Sequence, residues 1–134
     1  MPPENPINLA NAENRAVYEY LKAFHAHPEL SELLINSTTK PCGDIQVFYQ
    51  ARPDDCGPCI VSTKGIIIGF AIGMNIIAFR AGRNMMDIAL ATGGSAFPEC
   101  GPNWMAFKPF RGGWPKVDLE FWALKAYVFV REQD

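Results

Sequence analysis

The sequence predicts an α+β domain, in which an antiparallel sheet of about five strands is packed by N- and C-terminal helices. Two observations carry this prediction. The most apolar stretch of the chain, residues 57–80, is rich in β-branched residues and is divided by Lys64-Gly65 and Gly73-Met74 at turn-like positions. Near both ends of the chain, apolar residues recur at helical spacing.

The central stretch predicts three consecutive hairpin strands, Cys59–Thr63, Ile66–Ile72 and Asn75–Arg80. A membrane-spanning helix is excluded there, because the longest apolar run, Ile66–Phe79, is shorter than the roughly 20 residues that a span needs. The stretch is therefore interpreted as the core sheet.

Both faces of the middle strand are apolar. Simple alternation separates one set of side chains from another: Ile66, Ile68, Phe70 and Ile72 on one face, and Ile67, Gly69 and Ala71 on the other. Each face must therefore pack against another part of the chain, and the small residues of the second set predict a closely packed helix on that face.

The N-terminal part predicts two helices and a strand. Residues 1–8 contain three prolines and predict an extended lead-in. Asn8 is the expected cap of a helix that runs to about Phe24, and a proline start predicts a second helix at Pro28–Asn36. Alternation over Ile45–Tyr49 predicts the first strand.

The C-terminal part predicts a short helix at Asn84–Ala91, a strand at Asn103–Phe110 and a final helix at Leu119–Arg131. Gly93-Gly94 ends the short helix. Asp118 is a favourable N-cap for the final one. All of these elements fit a single domain over residues 1–134.

Composition excludes several classes of function. The chain has 49% hydrophobic and 19% charged residues and a net charge of −2, so it lacks the basic surface that nucleic acid or an anionic membrane requires. No secretory signal pattern is present at the N-terminus, so we expect a soluble, cytoplasmic protein with reduced cysteines. Acidic residues are scattered, and motifs for a serine nucleophile or a phosphate loop are absent, so no catalytic residue and no cofactor is assigned.

The final helix has two apolar stripes. The first contains Leu119, Trp122, Ala123, Ala126 and Val130, and the second contains Phe121, Leu124 and Val128. Docking on one sheet needs only a single stripe. The helix is therefore either wedged between the sheet and the N-terminal helix or it forms an oligomer or partner interface.

The C-terminal half resembles the N-terminal domain of the TfoX family, small bacterial α+β domains related to the YjbR-like group. The resemblance covers residues 57–131 and rests on the order of several segments: the hairpins GPCIVSTKGIIIGFAIGMNIIAFRAG, the helix and turn DIALATGGSAFPECG, the strand PNWMAF, and a final helix with Leu119, Trp122, Ala126, Phe129 and Val130.

The resemblance implies an α+β fold and a non-enzymatic role, because the family is associated with control of competence for DNA uptake and acts through other proteins. The chain departs from the family pattern in two places, and these departures leave the regulatory target open. Asp55-Cys56-Gly57-Pro58 replaces the family's Met-Phe-Gly-Gly entry into the first hairpin, and the N-terminal segment contains the additional helix Pro28–Asn36.

The tetrapeptide Cys56-Gly57-Pro58-Cys59 is identical to the thioredoxin active-site motif. Thiol activation in that motif needs a strand that leads into a helix, whereas a predicted strand follows here. Asp55 precedes the first cysteine, and its charge raises a thiol pKa. We therefore favour a turn with Cys59 as a small buried residue, and keep dithiol redox chemistry as the alternative.

A structural zinc site is a second alternative for the cysteines. Cys42, Cys56, Cys59 and Cys100 all lie close to glycine or proline, yet only one Cys-x-x-Cys pair is present where a Cys₄ site normally has two. His25 and His27 are two residues apart near a helix end and are interpreted as surface or capping residues rather than ligands.

Aromatic residues are concentrated in the C-terminal third. Five aromatic residues lie in a segment that also contains the basic residues Lys108, Arg111 and Lys116. They are Phe97, Trp104, Phe107, Phe110 and Trp114. Such a pattern serves to stack single-stranded nucleic acid or, more commonly, to cover one end of a sheet. A small-ligand pocket formed by Trp104, Trp114 and Trp122 is a further alternative.

These observations predict a non-catalytic protein–protein interaction or regulatory adaptor domain, whose partner is another protein or a second copy, with no membrane and no nucleic acid involved. The expected contact surface is the final helix with the aromatic strand region: Trp104, Phe107, Trp114, Phe121, Trp122, Leu124 and Val128. The runner-up is a thiol redox or metal-binding protein that uses Cys56 and Cys59.

Overall fold

Six antiparallel strands and four α-helices make up the part of the chain that the computed structural model describes, residues 6–49, 57–110 and 118–132. The helices are α1 (Ala12–Leu21), α2 (Pro28–Thr39), α3 (Met86–Ala91) and α4 (Leu119–Glu132). The strands are β1 (Gln46–Tyr49), β2 (Cys59–Thr63), β3 (Ile66–Ile72), β4 (Ile76–Arg80), β5 (Ser95–Ala96) and β6 (Trp104–Phe107). The predicted α+β class is confirmed, with six strands rather than about five.

The strands form one sheet in the order β1-β2-β3-β4-β6-β5, and every neighbouring pair is antiparallel. The two central hairpins have the predicted bounds, except that β4 begins at Ile76 rather than Asn75. The additional strand is β5, two residues that follow Gly93-Gly94 and pair with β6 at one edge of the sheet.

A β-bulge changes which side chains of β3 share a face. The register between β2 and β3 shifts at Val61/Ser62, so Ile67 and Gly69 pair with adjacent residues of β2 and Ile68 is the extra residue. Simple alternation is therefore wrong beyond Ile68. Phe70 and Ile72 lie on the face of Ile67, whereas Ala71 lies on the face of Ile68.

Helices cover both faces of the sheet. Residues of α2 and α4 pack on the face that contains Cys59, Val61, Ile68 and Phe107. Val17 and Leu21 of α1 pack on the opposite face, with Ile60, Phe70 and Trp104. The prediction that α4 is wedged between the sheet and the N-terminal helix is therefore wrong, because α4 lies beside α2 while α1 covers the other face.

Asn14 of α1 joins that helix to the β2–β3 turn. Its side-chain amide donates to the carbonyl oxygens of Gly65 (2.7 Å) and Asn8 (3.1 Å), and its Oδ1 accepts from the backbone N–H of Ile67 (3.0 Å). The residue is 2% exposed, so these bonds satisfy polar groups that water does not reach.

Capping residues differ in detail from the prediction at the first two helices. Asn11, not Asn8, caps α1 by accepting from the Asn14 N–H, and α1 ends at Leu21. His27 caps α2 through its Nδ1, which accepts from the Glu29 N–H, so the predicted capping role of a histidine is confirmed there. Within the described ranges, none of the helices has the length and apolar character to cross a bilayer.

Candidate interaction surface

Helix α4 is held against the sheet by one of its two apolar stripes. Asp118 begins the helix, and its carboxylate accepts from the Phe121 N–H at 3.1 Å. The first stripe is buried, as predicted, and consists of Leu119, Trp122, Ala123, Ala126 and Val130. Its two alanines let the helix approach the sheet closely, and the Trp122 ring packs on Phe107 with the centroids 4.9 Å apart.

The second stripe, called here the outer stripe, consists of Phe121, Leu124 and Val128. Their side chains are 38%, 42% and 42% exposed. At 3.6 residues per turn, the centre of the outer stripe lies about 180° around the helix axis from the centre of the buried stripe. The outer stripe therefore points directly away from the sheet.

Charged residues border the outer stripe on the side toward α2. Glu120 forms an ion pair with Lys40 at 3.5 Å, and Arg131 lies 3.8 Å from Asp44. Glu120 and Arg131 are separated by about three helical turns, so they lie on the same side of α4 at opposite ends. No sequence pattern indicated Lys40 and Asp44, because they are distant from α4 along the chain.

Lys125 borders the stripe on its other side. Its ammonium group lies 5.4 Å from the centroid of the Phe121 ring, within the range of a cation–π contact. The same ring packs edge-on against Trp122, with the centroids 5.3 Å apart. Phe121 is thus held in place by two contacts while more than a third of it remains exposed.

Three residues of the predicted contact surface are in the core. Trp104, Phe107 and Trp122 are 1%, 1% and 2% exposed, so their assignment to a partner interface is wrong. Their large side chains fill the space between the sheet and its helices. Phe121, Leu124 and Val128 are exposed as predicted, and Trp114 lies outside the described residues.

The predicted tryptophan pocket is also not formed as expected. Trp104 packs on the α1 face of the sheet, against Phe70, whereas Trp122 packs on the α4 face, against Phe107. The two rings are separated by the sheet and cannot contact one small ligand. The same burial removes Phe97, Trp104 and Phe107 from any platform for stacking bases.

A shallow depression of about 380 Å³ lies beside β5, and neither Trp104 nor Trp122 lines it. Its floor includes Phe97 and Ala106, and its charged lining residues are Glu99 and Lys108.

Cys59 lies in β2 rather than at the start of a helix and is 0% exposed. Burial raises the pKa of its thiol to about 12, although hydrogen bonds with the side chains of Tyr49 and Ser31 act in the opposite direction. A buried, protonated thiol is a poor nucleophile. Cys56 lies outside the described residues.

The three cysteines within the described residues are divided between the two cores. Cys42 and Cys59 belong to the α4 face and Cys100 to the α1 face, so a zinc site that uses all four cysteines is excluded. Among the described residues, no three of the side chains of His, Cys, Asp and Glu are grouped as metal ligands.

Comparisons of the chain with protein-family models, with curated proteins and with solved structures found no match. The resemblance to the TfoX family therefore stays a prediction from the sequence.

Proposed function

We propose that this protein is a non-catalytic interaction domain, an adaptor that binds another protein chain through the outer stripe of α4. The observation that carries the proposal is the exposure of Phe121, Leu124 and Val128 on the side of α4 opposite the sheet. A helix that only completes a core needs one apolar stripe, and the buried stripe already meets that need.

The surroundings of the outer stripe support an interface. Apolar residues at its centre and charged residues at its border, Glu120, Lys125 and Arg131, match the apolar core and polar rim of protein interfaces. Phe121 is held by Trp122 and Lys125, so less side-chain freedom is lost when a partner covers it.

The thiol alternative has less support. Redox exchange requires an accessible thiolate, and Cys59 is fully buried with a pKa raised to about 12. Its hydrogen-bond partners Tyr49 and Ser31 hold the thiol in the core between α2 and the sheet.

The test is photo-crosslinking in the cells that make the protein. A photoreactive phenylalanine analogue is placed at Leu124, and in a control protein at the exposed Arg15 of α1, on the other face of the sheet. We expect one defined adduct from position 124 and none from position 15. The adduct partner, once purified, should bind the unmodified chain.

Matched charge variants complete the test. Phe121→Glu is expected to weaken that binding at least roughly 100-fold, because it places a carboxylate in an apolar contact. Leu90→Glu makes the same kind of change at an exposed residue of α3 and should leave binding unchanged. Circular dichroism checks that both variants are folded. Equal adducts from both positions, or equal binding by both variants, would contradict the proposal.

A further inference from the structure

We infer that the chain which fits the outer stripe is a second copy of this protein, docked with α4 antiparallel to α4 about a two-fold axis near Leu124. The inference rests on the proposed function, since it names the partner of the same surface. The order of the apolar and charged residues along α4 supports this docking.

The apolar residues are self-complementary in an antiparallel pair. Leu124 lies near the middle of the outer stripe, with Phe121 toward one end of α4 and Val128 toward the other. A two-fold axis near Leu124 sets the two copies of Leu124 side by side. It also places Phe121 of each copy against Val128 of the other, so a large side chain meets a smaller one.

The charges on the α2 side are complementary in the same arrangement. Glu120 lies at the start of α4 and Arg131 near its end, so antiparallel docking brings each Glu120 toward Arg131 of the second copy. In the same way, Lys40 of each copy approaches Asp44 of the other copy. In a parallel two-fold pair the α2 sides of the two helices would lie on opposite edges of the contact, so Glu120 and Arg131 would not meet.

The size of the surface limits the affinity. Helix α4 has 14 residues, and its outer stripe has three apolar side chains, which is small beside the roughly 800 Å² that each partner buries in a standard interface. Lys125 lies close to the two-fold axis, so the Lys125 side chains of the two copies lie near each other and their like charges oppose association. Each ammonium group lies over the Phe121 ring of its own chain. We therefore expect a reversible dimer in the micromolar range rather than an obligate one.

Analytical ultracentrifugation of the purified full chain tests the inference over micromolar to millimolar concentrations. The wild-type chain is expected to show a concentration-dependent dimer. Leu124→Glu should weaken dimerisation roughly 100-fold or more because two carboxylates then meet near the axis, while Leu90→Glu on α3 should not change it.

A charge-reversal pair tests the antiparallel orientation. Glu120→Lys alone and Arg131→Glu alone each create two like-charge contacts in a homodimer and should each weaken it about tenfold. A 1:1 mixture of the two variants restores opposite charges at both ends and should recover the dimer. Glu120→Lys lacks the internal ion pair with Lys40, and Arg131→Glu lacks the one with Asp44, both alone and in the mixture. Recovery on mixing therefore reports contacts between chains.

Each outcome decides the inference. A wild-type dimer whose charge variants recover on mixing supports it, and a dimer whose variants do not recover overturns the antiparallel docking. A wild-type monomer throughout, combined with a photo-adduct to a different protein at position 124, overturns the second copy and leaves the proposed function standing. A monomer without any adduct overturns both.

Discussion

At the scale of single residues, Gly69 is required by a cross-strand contact and not by the helix that the sequence predicted there. A Cβ at this position would lie 2.8 Å from Cδ1 of Phe79, its partner on β4. Gly69→Ala is expected to lower the free energy of unfolding by about 1–3 kcal/mol, because the fully buried Phe79 ring must move.

Urea denaturation measures this change, and Gly43→Ala is the matched control. A Cβ at Gly43 meets no atom within 4 Å, so its replacement should cost less than about 0.5 kcal/mol. Equal midpoints for Gly69→Ala and the wild-type chain would show that the Phe79 ring yields without cost.

The ion pair between Arg80 of β4 and Glu13 of α1 is a second residue-scale feature. The Arg80 side chain is 11% exposed and that of Glu13 is 37% exposed, and the guanidinium Nη2 donates to Oε2 of Glu13. Glu13→Gln removes the counter-charge of a mostly buried cation. We expect a loss of about 1 kcal/mol after allowing for solvent screening of the exposed carboxylate.

Thermal or urea unfolding tests that loss against Glu19→Gln. Glu19 pairs with Lys22 at 3.0 Å, but both side chains are more than half exposed, so this pair should contribute less than about 0.5 kcal/mol. If the two variants are equally stable, the ion pair with Glu13 does not stabilise the buried Arg80 more than an exposed pair would.

The Cys59 thiol predicts a dependence of stability on pH. In the folded chain its pKa is about 12, against an ordinary value of 9.0, so above pH 9 the unfolded chain loses a proton that the folded chain keeps. This contribution to stability is therefore complete below pH 9 and is lost as the pH rises toward 12. The loss is about 1.4 kcal/mol per pH unit.

Urea unfolding at a series of pH values from about 8 to about 10 measures the slope. Cys59→Ala is expected to lower stability at every pH but to reduce the alkaline slope by one proton, while the raised pKa of Cys100 acts equally in both proteins. Parallel curves for the variant and the wild-type chain would mean that Cys59 ionises alike in both states.

At the scale of elements, Asn14 joins α1 to the β2–β3 hairpin. Asn14→Ala removes three hydrogen bonds and leaves the Ile67 N–H without its buried acceptor, while the Gly65 carbonyl keeps only its bond from the Asn8 N–H. We expect a loss of about 2–4 kcal/mol, together with faster hydrogen exchange of the Ile67 amide. Asn36→Ala, at an exposed position of α2, is the control and should change neither.

The sequence predicted the elements better than their arrangement. The bounds of β2 and β3 were correct because Lys64-Gly65 marks a sharp turn between β-branched runs. The bulge at Ile68 was missed because it arises from pairing with β2, which leaves no periodic signal in β3 alone. The two-residue β5 is too short for any pattern to show.

The candidate surface was predicted in part for a related reason. Helical spacing separated the outer stripe from the buried stripe of α4 correctly, since both sets follow from 3.6 residues per turn. Trp104, Phe107 and Trp122 were misplaced because the identity of an aromatic residue does not reveal whether it faces a helix or solvent. Their burial depends on which face α1 and α4 cover, and this is a property of the tertiary fold.

At the scale of the whole molecule, one sheet is shared by two cores. Leu34 of α2 belongs to the core on the α4 face, and Val17 and Leu21 of α1 belong to the core on the other face. Because β3 contributes side chains to both cores, any disruption of β3 disturbs both of them. We therefore expect the described elements to unfold in a single cooperative transition.

Hydrogen exchange of a Leu34→Ala variant tests this cooperativity. Leu34 is 0% exposed, and its truncation should cost about 2–5 kcal/mol by leaving a cavity between α2 and the sheet. If the cores are coupled, the protection of slowly exchanging amides in α1 falls by the same free energy as that in β3 and α4, although α1 does not touch the cavity face. Leu90→Ala at an exposed position of α3 should leave all three unchanged. Unchanged protection in α1 together with lowered protection in α4 would mean that α1 opens as a separate unit. In that case only the sheet and the α2–α4 layer would hold the outer stripe in place.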